Sequence, residues 1–268
     1  METSVKSAAQ EAKGGSKTRY VAKIAVFASI YTVLRIIPTV PMIGAPGRFF
    51  SLSDVVAPLY GIVLGSHIGG ASIVLGTFLA IAFGRPITFL GLDFLPAAVN
   101  AAAVGLLIKR RWLTVIGLYA ILLAVFLLHP FTLVLVKVPL FGQDVGIPFH
   151  WMHFIAFMAL VSPLGGKAVS WVTTTSLTRL ALGIAILVFI GTMIQHTVGG
   201  ILYETILGSY LGVIKPEAFP VNWTIVFYVY PIERTIITIV ATIIGTPLVR
   251  TLTSSQLLHF EPPIKPRM

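Results

Sequence analysis

The residues able to bind or transform a solute are few in this chain, and their spacing groups them. His196, Gly200 and Glu204 recur every four residues and therefore share one face of a helix. His150 and His153 lie one turn apart, and Tyr230 shares a face with Arg234, with Glu233 beside it. Upstream, Arg35, Arg48, Asp54, Arg85 and Asp93 stand at the ends of apolar runs. Such a mixture of cations, carboxylates and imidazoles fits a polar ligand, zwitterionic or anionic, better than a simple cation. Histidine with carboxylate is also a competent metal-ligand set, but these residues sit on different helices and form no ligand motif. No metal or cofactor is assigned from them. Each group also has a plainer role. Arg35, Arg48 and Arg85 can snorkel to headgroups, Arg234 can pair with Glu233 or Glu204, and a lone histidine can simply be hydrogen-bonded packing.

The elements that must position these groups are apolar helices. The chain has 268 residues, 56% hydrophobic and 10% charged. Soluble domains carry about 25% charged residues, so this composition predicts an all-α, polytopic helical protein of the cell membrane. The chain has no cysteine, which excludes disulfides and thiolate chemistry. The net charge of +10 is not gathered into a nucleic-acid stripe; the basic residues stand at loop ends.

Taken in order, residues 1–19 form a basic tail expected to be disordered. Residues 20–252 form one transmembrane domain, and 253–268 a second cytoplasmic tail. Spans are expected at about 20–37, 52–66, 68–83, 89–108, from Trp112 past His129, at 150–161 (short), 177–207 and 222–252, the last kinked at Pro231. Ser53 is the expected cap of the second. Gly61, Gly65 and Gly69, four apart, line a face for close helix packing, and Ser66–Gly70 would turn the chain back. Ala25 and Ser29 form a small-xxx-small pair on the first span. Eight spans with both termini cytoplasmic place Lys6, Lys13, Lys17, Arg19, Lys23, Lys109, Arg110, Arg111, Lys167, Arg179, Arg250, Lys265 and Arg267 inside, as the positive-inside rule expects. On that layout the unusual polar residues fall in the outer third. Arg234 lies roughly 18 Å along its helix from Asn222, at 1.5 Å per residue, where an unpaired charge costs about 2.5 kcal/mol or more. A polar cup above an apolar floor is a binding site more readily than a channel, which needs polar lining throughout.

Motifs of soluble catalysis are missing. There is no H-E-x-x-H and no G-x-S-x-G, and Gly165-Gly166-Lys167 lacks the earlier glycine and following Ser/Thr of a Walker A loop. No catalytic residue is assigned, and ATP-driven work would need a partner.

Two stretches carry a likeness. Phe50-Ser51-Leu52-Ser53-Asp54 followed by Leu59-Tyr60-Gly61-Ile62-Val63-Leu64-Gly65 and Gly69-Gly70, and Gly91-Leu92-Asp93-Phe94-Leu95-Pro96-Ala97-Ala98 ending at Lys109-Arg110-Arg111, resemble the substrate-binding S component of energy-coupling factor transporters. The likeness covers about residues 20–111. It implies a membrane subunit that captures a vitamin or similar micronutrient in an outward-facing cup, gated by the loop 38–51. It further implies a transmembrane coupling subunit carrying two ATPases, met by the first span through Ala25 and Ser29. The family has six spans where this chain has eight, and the first span's small residues match only in part. Two other classes stay open: an intramembrane metal enzyme using His150, His153 and His196, and a structural subunit of a membrane complex.

Overall fold

The chain is described from a computed structural model, covering the backbone of residues 2–140, 142–258 and 260 and the side chains from Thr18 onward within them. It is mostly helical. Helix α1 (Glu2–Ile36) includes the basic segment expected as a tail; Lys265 and Arg267 lie outside the described residues. There follow β1 (Pro38–Pro41), β2 (Phe49–Ser51), α2 (Ala57–Ala82), α3 (Leu95–Ile108), α4 (Trp112–Leu128), β3 (Leu135–Leu140), β4 (Gln143–Pro148), α5 (Trp151–Val161), α6 (Pro163–Val172), α7 (Leu177–Leu202) and α8 (Phe219–Ser254). A π-helical stretch, Tyr203–Tyr210, continues α7. Proline in the first turn, where its missing N–H costs nothing, opens α2, α3, α6 and α8.

Among the described residues, three helical segments are long and apolar enough to cross a membrane: Ala57–Ala82, Leu177–Tyr210 and Pro216–Ser254. Helices α5 and α6 meet at a 72° bend and make a fourth if taken as one broken span. Helices α3 and α4, at 14 and 17 residues, are shorter. Helix α7 is apolar on nearly every side because it is the central element, packed by α3, α5, α6 and α8.

Four local expectations are corrected. The loops 38–51 and 131–148 contain antiparallel hairpins, β1–β2 and β3–β4, so the fold is not purely α. Ser53 does not cap a helix; its hydroxyl meets that of Ser51 at 2.8 Å, and a short 3₁₀ turn, Leu52–Val55, precedes α2. The fold-back comes at Gly65 rather than at 66–70, because φ 75°, ψ 177° is open to glycine and breaks α2 there. Gly69 consequently lies against the backbone of Tyr60, nine residues back, a distance of about 13 Å in an unbroken helix. Gly61, Gly65 and Gly69 therefore do not share one helix face. Helix α8 is a single element with both Pro231 and Pro247 inside it.

The Gly65 elbow is clasped by α3. A Cβ on Gly105 would stand 2.3 Å from the Ser66 amide nitrogen and 2.7 Å from the Gly65 carbonyl carbon, both rigid backbone. Gly105→Ala should therefore cost about 1–3 kcal/mol by overpacking and lower the unfolding temperature of the purified protein. Gly70→Ala, with nothing within 4 Å, should leave it within error.

Candidate ligand cavity

One cavity lies among α1, the β1–β2 hairpin, the segment 85–97, α7 and α8. It encloses about 1080 Å³ of empty space, its open mouth included. Eight residues singled out from sequence line it: Arg35, Asp54, Arg85, Asp93, His196, Tyr230, Glu233 and Arg234. Arg48, His150, His153 and Glu204 do not.

Helices α7 and α8 build the deep wall as a ladder. The His196 ring stacks on Tyr230 with centroids 4.9 Å apart, and one turn away Arg234 Nη1 donates to Thr192 Oγ1 at 3.1 Å. The second rung follows from the first, since Thr192 and Arg234 each lie four residues from their ring partners. Arg234 Nη2 also pairs with Glu233 Oε1 at 3.1 Å, and Arg234 is only 2% exposed. Behind this wall His153 Nε2 and His196 Nδ1 share a hydrogen bond of 3.0 Å. His150 packs on His153 with centroids 5.3 Å apart, and neither of its ring nitrogens has a partner.

A chain of amides fixes the floor. Asn100 Nδ2 donates to Gln195 Oε1 (2.7 Å), and Gln195 Nε2 donates to Asp54 Oδ1 (2.8 Å). The three residues are buried and come from α3, α7 and the 3₁₀ turn. Gln195 was missed from sequence, although it stands beside His196; a glutamine inside a run as apolar as α7 was the available signal. Gly191 makes room for this chain, because a Cβ there would lie 2.2 Å from Asn100 Oδ1.

Backbone carbonyls occupy the arginines at the mouth. Arg85 Nη2 donates to Phe50 O at 3.1 Å and, in a closer contact, to Phe49 O. Arg35 Nη2 donates to Asp93 O at 2.9 Å, while the Asp93 carboxylate accepts from the amides of Thr88 (2.8 Å) and Phe89 (3.0 Å). At the hairpin tip the Tyr203 hydroxyl donates to Ile43 O at 2.8 Å and accepts from Asn222 Nδ2 at 3.0 Å. The β1–β2 hairpin is thus tied along β2 by Arg85 and at its tip by Tyr203. Tyr203 and Trp223, both cavity residues, had no place in the sequence assignment. Tyr203 directly follows α7 and Trp223 lies in the second turn of α8, with no distinguishing pattern.

Glu204 anchors a separate cluster. It is fully buried, with the Thr132 hydroxyl 2.7 and 2.9 Å from its two oxygens and His129 Nδ1 3.2 Å from Oε2. Trp223 Nε1 donates to Oε1 at 2.9 Å, which holds the indole at the edge of the cavity. Arg48 has no side-chain partner among the described residues. Ala25 and Ser29 are exposed on α1, whereas Gly61 is packed inside against α3. No group of three or more His, Asp or Glu among the described residues is placed to hold a metal ion. Compared with known family models, curated proteins and solved structures, the chain gives no match.

Replacing Glu204 tests the second cluster. Glu204→Ala strands the indole N–H and should cost about 1–3 kcal/mol, with altered tryptophan emission. Glu204→Gln keeps an acceptor and should cost less; equal losses from both would contradict this role.

Proposed function

We propose that the protein is a substrate-binding membrane subunit of an ATP-driven importer of the energy-coupling factor type. In this reading the cavity captures a vitamin or similar small polar micronutrient from outside the cell. The polypeptide crosses the cell membrane eight times, with both termini cytoplasmic. The short helices α3 and α4 and the two legs of α2 count among the crossings. The observation that carries the reading is convergence: eight polar and ionisable residues singled out from distant parts of the sequence line one cavity whose walls are otherwise mostly apolar. Intramembrane charges usually mark such a cavity or a partner. The hairpin tied by Arg85 and Tyr203 acts as its gate.

A transmembrane coupling subunit with two ATPases supplies the energy. The exposed Ala25 and Ser29 offer it a close-packing face. The metal-enzyme reading has less support, since His153 and His196 bond to each other rather than converging with a third ligand.

Native mass spectrometry of the purified protein should show one small organic molecule retained per chain, and coupling subunits when these are co-expressed. Tyr203→Phe removes a tie worth about 0.5–1.5 kcal/mol and should speed ligand release roughly two- to tenfold. A protein that carries stoichiometric metal instead, or neither ligand nor partner, would overturn the proposal.

A further inference from the structure

If the cavity is a ligand site, as proposed above, its unspent groups define what it accepts. Each carboxylate on its wall has a partner: both oxygens of Asp93 take backbone amides, one oxygen of Asp54 takes Gln195, and one of Glu233 takes Arg234. Among the described cavity residues, the buried side-chain polar atoms without a hydrogen-bond partner are Nε of Arg35 and Nε of Arg234. Both are donors.

The histidine pair adds a third. His153 Nδ1 is buried without a partner. A proton there would be an orphaned N–H, which folded proteins tolerate less than an orphaned lone pair. The His153 proton therefore sits on Nε2 and is donated to His196 Nδ1 across the 3.0 Å contact. His196 must then carry its own proton on Nε2, the nitrogen left for the cavity.

The walls supply the second half of the specification. The Tyr230–His196 stack, the Tyr203–Trp223 pair and the hairpin's Phe49 and Phe50 line the same space. Aromatic walls favour flat π systems by offset and edge-on packing.

We propose that the cavity takes a flat, unsaturated ring bearing a carboxylate, the ring among Tyr230, Trp223 and the hairpin aromatics and the carboxylate on Arg234 and His196. His153 is a positioning residue that sets the His196 tautomer without touching the ligand.

Equilibrium dialysis in lipid nanodiscs, with empty discs subtracted, tests this using three matched probes: 2-naphthoate, decahydro-2-naphthoate and 2-naphthylmethylammonium. The expected result is 2-naphthoate bound at least tenfold more tightly than either of the others. Arg234→Gln and His196→Asn should each weaken it at least tenfold and His153→Ala severalfold, with His153→Gln, which keeps an N–H donor for His196 Nδ1, restoring most of that loss. His196→Asn keeps the test usable if Arg234→Gln does not fold. Equal binding of the saturated acid removes the flat ring from the proposal, and equal or tighter binding of the amine removes the acid. Either result overturns the inference but leaves the cavity a ligand site. If no probe binds above empty discs the inference also fails. Native mass spectrometry then separates the two claims: a retained ligand of other chemistry preserves the importer reading, and an empty protein ends both.

Discussion

The side chain of Gln195 joins three pieces of chain that have no covalent reason to meet. Its oxygen accepts from Asn100 on α3 and its nitrogen donates to Asp54 on the 3₁₀ turn before α2. In an apolar bundle an unpaired amide costs several kcal/mol, so each of these groups can be buried only if the others are in place. The chain of two hydrogen bonds therefore fixes the height of α7 against α3 and α2. With α7 fixed, His196, Gly199, Gly200 and Tyr203 fall on the cavity wall one after another.

The upper part of the cavity obeys the same requirement in a different form. Arg35 and Arg85 are held by backbone carbonyls rather than by carboxylates. A carbonyl satisfies a guanidinium donor and holds the hairpin's shape, while the carboxylates of Asp54 and Asp93 in the same cavity balance the two charges. The hairpin's remaining tie, from Tyr203, hangs on the π-helical stretch where Glu204 is drawn inward to Trp223. One short segment thus carries both the fastening of the hairpin tip and the placement of a wall aromatic. π-helical turns of this kind recur at functional sites.

Much of the arrangement was legible in the residue pattern, for identifiable reasons. The period of four from His196 to Gly200 and from Tyr230 to Arg234 put the right side chains on one wall, because helical geometry is local. The tight return near Gly65 was visible as a glycine cluster, but its position was not. Which glycine takes positive φ depends on Gly105 of α3, forty residues away, fitting against the elbow. The hairpins were missed because two-stranded pairing in a proline-rich loop has no periodic signature. Glu204 was expected on the face of His196 and Gly200, but the π-helical stretch begins at Tyr203, and Glu204 lies in a separate cluster with Thr132, His129 and Trp223 rather than on the cavity wall. The His153–His196 bond crosses between helices and could not be foreseen from spacing on either one.

The proposed function requires that the cavity open to the outside beneath the tied hairpin. Because the chain has no cysteine, single cysteines at Gly199 and Val229, both half-buried on the cavity wall, can be labelled without background. A membrane-impermeant maleimide added to right-side-out vesicles should modify both, and faster when Tyr203→Phe loosens the hairpin. Labelling only in inverted vesicles, or at rates that ignore the Tyr203 tie, would contradict the account.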